Sequence, residues 1–337
     1  MRYISIDQAE VGMVVGKSIY NEQGAVLVNY KVKLTNKLIE RMKEKGLSGF
    51  YIEDTLSYDI HVEDIISESL EKKAAQALHK MDIDEALDVA NDITEELSTN
   101  GEISLNLVSL RTNSDYTYKH SINVSVLSVL IGMGTGMKKP MLKELAASGL
   151  LHDIGKINIP SDILNKPGAL TEEEYELIKK HSEMGYQKIK DNVLISSKIK
   201  MGVYMHHENL NGTGYPLGLQ DDQIYTFAKI IHVADVYDAI TSKRVYKKAQ
   251  APAEAIDFLQ KNVGTMFEKQ LVDAFIKYVP VYPKGRNIIL SGERIAVVVE
   301  NRQENTLRPI VRYLDTEETV DLSQPEFEEI EILGFEE

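Results

Sequence analysis

The sequence has no cysteine among its 337 residues. Disulfide bonds, zinc sites built on thiolates and iron–sulfur clusters are therefore excluded. This composition suits a reducing compartment, and we predict a cytoplasmic protein. Hydrophobic residues make up 43% of the chain and charged residues 27%, which is typical of a folded globular protein rather than a disordered one.

The chain also has no excess of positively charged residues. Lys and Arg total 38 against 52 Asp and Glu, which makes the formal net charge −14. A chain this acidic does not attract duplex DNA or an anionic membrane through its overall field, so we expect no nucleic-acid polymer as a partner. An anionic substrate would need a local positive site, such as bound metal ions.

Long hydrophobic runs are absent as well. The most apolar stretch, residues 124–133, is too short to span a bilayer and is interrupted by Ser125, Ser128 and Gly132. The first residues, MRYISIDQAEVGMVV, lack the continuous apolar core and the cleavage site of a secretory signal. We therefore expect no targeting segment and no membrane insertion.

The length suits two or three domains, and the hydrophobic pattern divides the chain further. Residues 1–60 predict a small α+β domain, with short strands over 14–20, 25–29 and 49–53 and an amphipathic helix over 35–45. Residues 61–98 carry apolar side chains at helical spacing, without Gly or Pro, and predict a helical connector.

The rest of the chain divides into a helical region and a strand region. Residues 99–280 predict an all-α domain, because a period near 3.6 recurs in successive segments: 119–133, 140–153, 171–190, 194–206, 226–242 and 252–261. Residues 285–337 change to a period of two and predict a small β domain, with strands over 288–290, 294–300 and 309–314.

Histidines and acids recur on apolar helix faces of the central region: His120, His152, Asp153, His181, His206, His207 and Asp235. A single histidine in such a position is usually a hydrogen-bonded core residue. Burying two carboxylates with five imidazoles is costly, however, unless something compensates the charge. A pair of divalent metal ions would do so, and imidazole with carboxylate suits zinc, iron, manganese or nickel. Neighbours on a helix point about 100° apart, so His152 and Asp153 can flank one ion.

Longer motifs surround these residues and run in a fixed order. They are YTYKHSINVSVLS (116–128), GLLHDIGKINIPSDIL (149–164), NKPGALTEEEYELIKKHSEMGYQ (165–187), HHENLNGTGYPLGL (206–219) and IIHVADVYDAITSKRVYKKA (230–249). In these motifs the chain closely resembles the HD-GYP family, a bacterial branch of the HD metal-dependent phosphohydrolases. The resemblance implies that residues 99–280 form an all-α HD-type domain, flanked by the small α+β domain and the small β domain.

The resemblance also implies an activity and a metal centre. Family members are phosphodiesterases that hydrolyse cyclic di-GMP to linear pGpG, and some continue to GMP, with a hydroxide that bridges two metal ions. Transferred by position, one metal would be held by His120, His152, Asp153 and Asp235, and the other by Asp153, His181, His206 and His207. Some members hold a third metal through a glutamate where this chain has Tyr116, so we expect two. Family precedent favours iron or manganese, with zinc, nickel and magnesium as alternatives.

Further residues match the parts of the family motifs that handle substrate. Lys156, one turn after the HD pair, is expected to act with Asp153 in catalysis and to contact the phosphate. Arg244 and Lys247 match phosphate-gripping positions, since cationic side chains suit phosphate oxygens. Tyr215, in the turn-rich loop NGTGYP, offers a ring for stacking a base or for packing the loop. In the family this loop also contacts partner proteins, and a homodimer is a further expectation.

Departures from the family pattern keep alternatives open. Asn211 stands where the family usually has Asp, Lys243 and Val245 replace an Asp and a Pro, and Glu268 with Lys269 replaces an Asp-Pro pair. None is a proposed metal ligand. The first alternative is a cyclic-dinucleotide sensor with little turnover. The second is a phosphodiesterase for another nucleotide, either cyclic GMP-AMP or a linear one.

Overall fold

The structure, a computed structural model, describes residues 1–20, 26–62, 64–99, 116–166, 168–242, 250–302 and 305–336. A central helical region is flanked by a small N-terminal α+β unit and by a five-stranded antiparallel C-terminal sheet. This confirms the fold class predicted from the sequence. The domain limits drawn from the sequence stay predictions.

The N-terminal unit is built on a three-stranded sheet in the order β1-β5-β2, next to a β3–β4 pair. Its elements are β1 (Arg2–Ser5), β2 (Val14–Val15), β3 (Ile19–Tyr20), β4 (Val26–Val28), α1 (Asn36–Glu44) and β5 (Gly49–Glu53). Thr35 caps α1 by accepting a hydrogen bond from the Leu38 amide. The first residue of the strand predicted over 25–29 lies outside the described residues.

Two helices, α2 (Glu68–Lys80) and α3 (Ile83–Thr99), occupy the predicted connector. Met81 ends α2 in the left-handed conformation, with φ of 53°, and the chain turns back there. Lys73 pairs with Asp92 at 2.9 Å, so the two helices run antiparallel as a hairpin. The apolar side of α3 is buried in the same core as the central helices, which places this hairpin against them.

The central helices pack around α4 and α10, whose side chains are buried on nearly every side. Their bounds are α4 (Tyr116–Gly134), α5 (Lys139–Leu151), α6 (Ser161–Leu164), α7 (Glu172–Lys179), α8 (His181–Ile189), α9 (Ser197–Met205), α10 (Thr226–Thr241), α11 (Pro252–Lys261) and α12 (Lys269–Tyr278). The segment predicted as one helix over 171–190 is two, α7 and α8, which meet at Lys180. None of the helices within the described segments is both long and apolar enough for a bilayer crossing.

A close backbone contact positions the end of α5 against α8. A short 3-10 helix, Ile154–Asn158, follows α5 and packs on α8 at Gly155. A Cβ atom at Gly155 would lie 2.0 Å from the His181 carbonyl oxygen and 2.5 Å from the Gly185 nitrogen. Only glycine allows this approach, and it brings Asp153 beside His181.

The C-terminal sheet has the order β10-β6-β7-β8-β9, with antiparallel neighbours throughout. Its strands are β6 (Asn287–Leu290), β7 (Arg294–Glu300), β8 (Ile310–Tyr313), β9 (Thr319–Asp321) and β10 (Ile332–Phe335), of which the sequence predicted the first three. Ala296 and Val298 of β7 join the helical core, whereas Val297 packs with Tyr51 and Val62. The sheet therefore lies between the helices and the N-terminal unit.

The Gly155 contact yields a stability prediction. We expect Gly155→Ala to lower the free energy of unfolding by about 1–3 kcal/mol or more, because backbone atoms must move away from the new methyl group. Urea denaturation followed by circular dichroism measures the loss. Gly132→Ala in α4 is the control, since its Cβ would meet side-chain ends of Leu142, Leu145 and Met137 rather than backbone atoms. Equal stability losses in the two variants would contradict the argument.

Candidate metal centre

Three histidines are oriented by carbonyl groups in the last turns of helices. In each, Nδ1 lies within hydrogen-bond distance of the carbonyl oxygen three residues earlier: His152 to Gly149 at 2.7 Å, His181 to Ile178 at 2.7 Å and His206 to Val203 at 2.8 Å. A carbonyl only accepts, so Nδ1 carries the hydrogen and Nε2 keeps its lone pair in the neutral ring. Because these carbonyls lie at the ends of α5, α7 and α9, each bond both satisfies a helix end and turns Nε2 inward.

His120 of α4 is oriented by a carboxylate instead. Its Nδ1 lies 2.8 Å from Asp238 Oδ2 in α10, so the ring donates there and directs Nε2 into the site. Asn123 donates to the other oxygen of Asp238 at 2.6 Å. Sequence reasoning missed Asp238 and Asn123. Each lies three residues after a predicted ligand, Asp235 or His120, and that one-turn spacing was a usable signal.

The first cluster consists of His120, His152 and Asp153, whose ligand atoms lie within 4.8 Å of one another. Asp153 Oδ2 is 3.6 Å from Nε2 of His120 and 3.3 Å from Nε2 of His152. Asp235 adjoins this cluster, with Oδ1 3.1 Å from Nε2 of His120. The four residues expected from the resemblance around one metal are therefore neighbours.

The second cluster consists of His181, His206 and His207, within the same 4.8 Å limit. His181 Nε2 and His206 Nε2 are 3.2 Å apart. Asp153 Oδ1 lies 3.4 Å from His181 Nε2, so the Asp153 carboxylate faces both clusters. Asp235 Oδ2 is 3.8 Å from His207 Nδ1 and approaches the second cluster less closely.

Burial sets the protonation of the second cluster. It lowers the pKa of His181 to about 4 and holds the pKa values of His206 and His207 well below 6.5. These imidazoles are therefore neutral at pH 7, which is the form that binds metal.

Buried carboxylates dominate the charge of the first cluster. Burial opposes the charged form of His120, but the carboxylates of Asp235 and Asp238 outweigh it and raise the pKa to about 9. For Asp153, burial acts to raise the pKa, but the neighbouring His152 imidazole and Lys156 ammonium group hold it well below 3.8. The pKa of Asp235 is also held well below 3.8, because His120 outweighs the effect of burial. Without a metal, a proton on His120 balances part of this negative charge.

The donor set fits metal ions. His152 Nε2 and Asp153 Oδ1 are buried and have no hydrogen-bond partner among the described residues. Such atoms are rare in folded proteins, and an ion is one of the things that satisfies them. Imidazole nitrogens with carboxylate oxygens suit divalent transition metals. The two clusters are thus consistent with metal binding.

The loop after α9 closes one side of the centre. The ring of Tyr215 stacks on His207, with centroids 4.6 Å apart and planes at 26°. Glu208, only 2% exposed, accepts hydrogen bonds from the amides of Leu217 and Leu219. Gly214 passes so close to the loop start that a Cβ there would lie 2.3 Å from the Asn209 nitrogen.

Two residues that order this loop were not singled out from the sequence. Glu208 follows the histidine pair directly, and that position was its signal. The second is His232 of α10, whose Nε2 lies 3.1 Å from Asn209 Oδ1. Nothing in the helical pattern around His232 distinguishes it from a core histidine.

The remaining predicted residues fall in different places. Lys156 donates to Asp153 Oδ2, and its side chain is 22% exposed. Arg244 and Lys247 lie outside the described residues, as do Lys243 and Val245. Tyr116 begins α4, but its side chain is also outside what the structure describes.

Comparison with known proteins gives the same family as the sequence motifs, the HD domain family. The HD domain family model matches residues 102–271. A cyclic di-GMP phosphodiesterase of Pseudomonas aeruginosa is 37% identical over 248 residues, which cover 74% of this chain and 59% of the relative. A 3'3'-cGAMP-specific phosphodiesterase of Vibrio cholerae is 33% identical over 184 residues, 54% of this chain and 42% of the relative.

A solved structure extends the comparison to the fold. An HDG"Y"P protein from Bdellovibrio bacteriovorus matches 81% of this chain and 97% of its own, with a TM-score of 0.55 and 19% identity. The chain spans about half the length of the curated relatives it matches. The family model covers half of the chain and includes every residue of both clusters. The chain therefore belongs to the HD domain family, in the HD-GYP branch that its motifs resemble.

Proposed function

We propose that this protein is a metal-dependent phosphodiesterase that hydrolyses cyclic di-GMP to linear pGpG, with further hydrolysis to GMP as an alternative end point. One observation carries the proposal: a buried carboxylate, Asp153, faces two histidine clusters at once, at 3.3 Å from His152 and 3.4 Å from His181. A carboxylate in this position can bridge two metal ions, and paired metal ions catalyse phosphodiester hydrolysis. The Pseudomonas aeruginosa relative, named for cyclic di-GMP, supports this substrate.

Two divalent ions are proposed, with iron or manganese preferred. His120, His152, Asp153 and Asp235 would hold one, and Asp153, His181, His206 and His207 the other. When bound, such a pair supplies an activated water as nucleophile and neutralises phosphate charge. The chain's own residues do the rest: His181, His206 and His207 present neutral imidazoles, burial excludes bulk water, and Asp153 is kept ionised.

Lys156 is proposed to bind a non-bridging oxygen of the reacting phosphate. Its ammonium group lies at Asp153 Oδ2 and its side chain is partly exposed, so the side chain is accessible to an incoming phosphate. As water adds to phosphorus, the P–O3′ bond breaks and the 3′ oxygen takes a proton. A cation at this position stabilises the charge that builds on phosphate. Tyr215 is proposed to hold His207 in place and to border the substrate, and Arg244 and Lys247 stay predicted phosphate contacts.

A second candidate substrate is cyclic GMP-AMP. The observation that favours it is the 33% identity to the Vibrio cholerae relative named for that nucleotide. Both substrates present the same phosphodiester chemistry to the metal centre, so the choice depends on how the bases are held.

Removal of the HD pair tests the metal centre. We expect His152→Ala combined with Asp153→Ala to abolish conversion of cyclic di-GMP to pGpG and to lower bound metal, because both clusters lose a ligand. Product chromatography and elemental analysis of anaerobically purified protein measure the two effects. Circular dichroism should show retained helix content. Asp191→Ala, an exposed acid after α8, is the control, and normal turnover by the double variant would refute the assigned site.

Asp238 tests the orientation of His120. We expect Asp238→Asn to lower metal affinity about 10- to 100-fold, since an amide cannot accept from both His120 and Asn123. Competition with a chelator measures the affinity. Asp273→Asn, an exposed acid of α12 paired with Lys269, changes the same charge at the surface and should have no effect. Unchanged affinity in Asp238→Asn would show that His120 needs no support.

Lys156 tests phosphate binding separately from metal binding. We expect Lys156→Gln to lower kcat/KM about 10²- to 10³-fold while metal content stays near that of the wild type. Steady-state kinetics with cyclic di-GMP and elemental analysis on one sample separate the two effects. Lys190→Gln, exposed after α8, is the control. A proportional loss of metal would mean that Lys156 serves the centre rather than the substrate.

A further inference from the structure

A cavity of about 340 Å³ opens beside the candidate metal centre. Asp153 and Lys156 form part of one wall, and the turn between α2 and α3 forms part of another. The volume is near the lower end of the roughly 300–1,000 Å³ usual for small-molecule pockets. It therefore suits one nucleoside rather than a whole cyclic dinucleotide.

The lining of the cavity suits a flat base. Most of it is apolar, with side chains such as Leu78, Ile83 and Leu150. His79 and Tyr118 also line it, with ring centroids 5.8 Å apart. Aromatic rings in an apolar pocket are what a nucleobase stacks against.

The α2–α3 turn adds an acceptor to this lining. Asp82 lines the cavity, and its Oδ1 accepts from the Glu85 amide at 3.0 Å, which caps the start of α3. A carboxylate has about four acceptor sites, so this cap leaves capacity for a ligand. Guanine presents two adjacent N–H donors, N1 and N2, that match a carboxylate. Adenine presents one donor and one acceptor, which match an amide instead.

We infer that the cavity is a guanine subsite, in which Asp82 accepts from the base while Lys156 and Asp153 face the adjoining phosphate. The inference rests on the proposed function and names the part of the substrate that the chain recognises. The cavity binds one guanine base, so one guanine in the substrate is sufficient. Cyclic di-GMP and cyclic GMP-AMP both supply a guanine, whereas cyclic di-AMP does not, so the first two are substrates and the third is a poor one.

The subsite also determines which bond breaks. Cyclic GMP-AMP has two different phosphodiester groups, and a guanine held in the cavity brings only one of them to the metal centre. Water adds to that phosphorus, its P–O3′ bond breaks and the 3′ oxygen takes a proton. The product is then one linear isomer, either pGpA or pApG, rather than an equal mixture.

Substitution of Asp82 tests the inference on the metal-loaded full chain. We expect the wild type to give one isomer from cyclic GMP-AMP in large excess, and Asp82→Asn to reduce or invert that excess. We also expect Asp82→Asn to raise the KM for cyclic di-GMP about 5- to 150-fold and to improve use of cyclic di-AMP. The amide pairs with adenine and places a donor against guanine. Chromatography of the products measures both effects.

Matched variants separate recognition from folding. Asp82→Asn and Asp82→Ser both keep an oxygen that caps α3, so thermal unfolding should stay near that of the wild type. Asp84→Asn removes the same charge from an exposed position on α3 outside the cavity and should leave the isomer ratio unchanged. Tyr118→Leu should weaken the binding of both dinucleotides that carry guanine, cyclic di-GMP and cyclic GMP-AMP.

The outcomes distinguish this inference from the proposed function. Two results would overturn the guanine subsite and leave the proposed phosphodiesterase function intact. In the first, the wild type hydrolyses cyclic GMP-AMP to equal amounts of the two isomers. In the second, the isomer ratio of Asp82→Asn equals that of the wild type. No turnover of any cyclic dinucleotide would contradict the proposed function. Equilibrium dialysis with GMP and AMP then decides the subsite: a GMP preference lost in Asp82→Asn supports it, and equal or absent binding overturns it.

Discussion

Hydrogen bonds from imidazole Nδ1 atoms determine the arrangement of the whole centre. His152, His181 and His206 each donate to a carbonyl three residues earlier, at the end of a helix. A buried imidazole must satisfy both nitrogens, and a helix end must satisfy its last carbonyls. One bond does both, so only Nε2 is left to face inward. The ends of α5, α7 and α9 thus meet where the lone pairs converge.

Charge balance follows from that arrangement. Asp153 and Asp235 stay ionised although they are buried, because cationic or polarised groups surround them. The chain as a whole carries −14 and repels an anionic nucleotide at long range. Attraction of the proposed substrate would therefore be local, from the proposed metal ions and from Lys156, whose side chain is partly exposed. The close contact at Gly155 keeps Asp153 between the two clusters, where one carboxylate can serve both.

The elements around the helical region are packed into it rather than attached to it. The α2–α3 hairpin buries Val89 and Ile93 in the central core, and its turn forms part of the cavity beside Lys156. The C-terminal sheet packs one face on the same core and the other on Tyr51 and Val62 of the N-terminal part. The flanking parts and the central helices therefore share one packed core, and the lining of the cavity is not confined to the HD motifs.

The sequence by itself determined the helical centre, the flanking sheets and the identity of the clustered histidines and acids, because periodicity and motif spacing are local properties. It also indicated Asp153 as the shared ligand through its family resemblance. It did not show that α2 turns back at Met81, that 171–190 is two helices, or that β9 and β10 complete the sheet. Nor did it show the support of His120 by Asp238, 118 residues away, or the cavity that joins Asp82 to Lys156. Only the tertiary structure decided these, because they depend on contacts between segments whose separation no local pattern records.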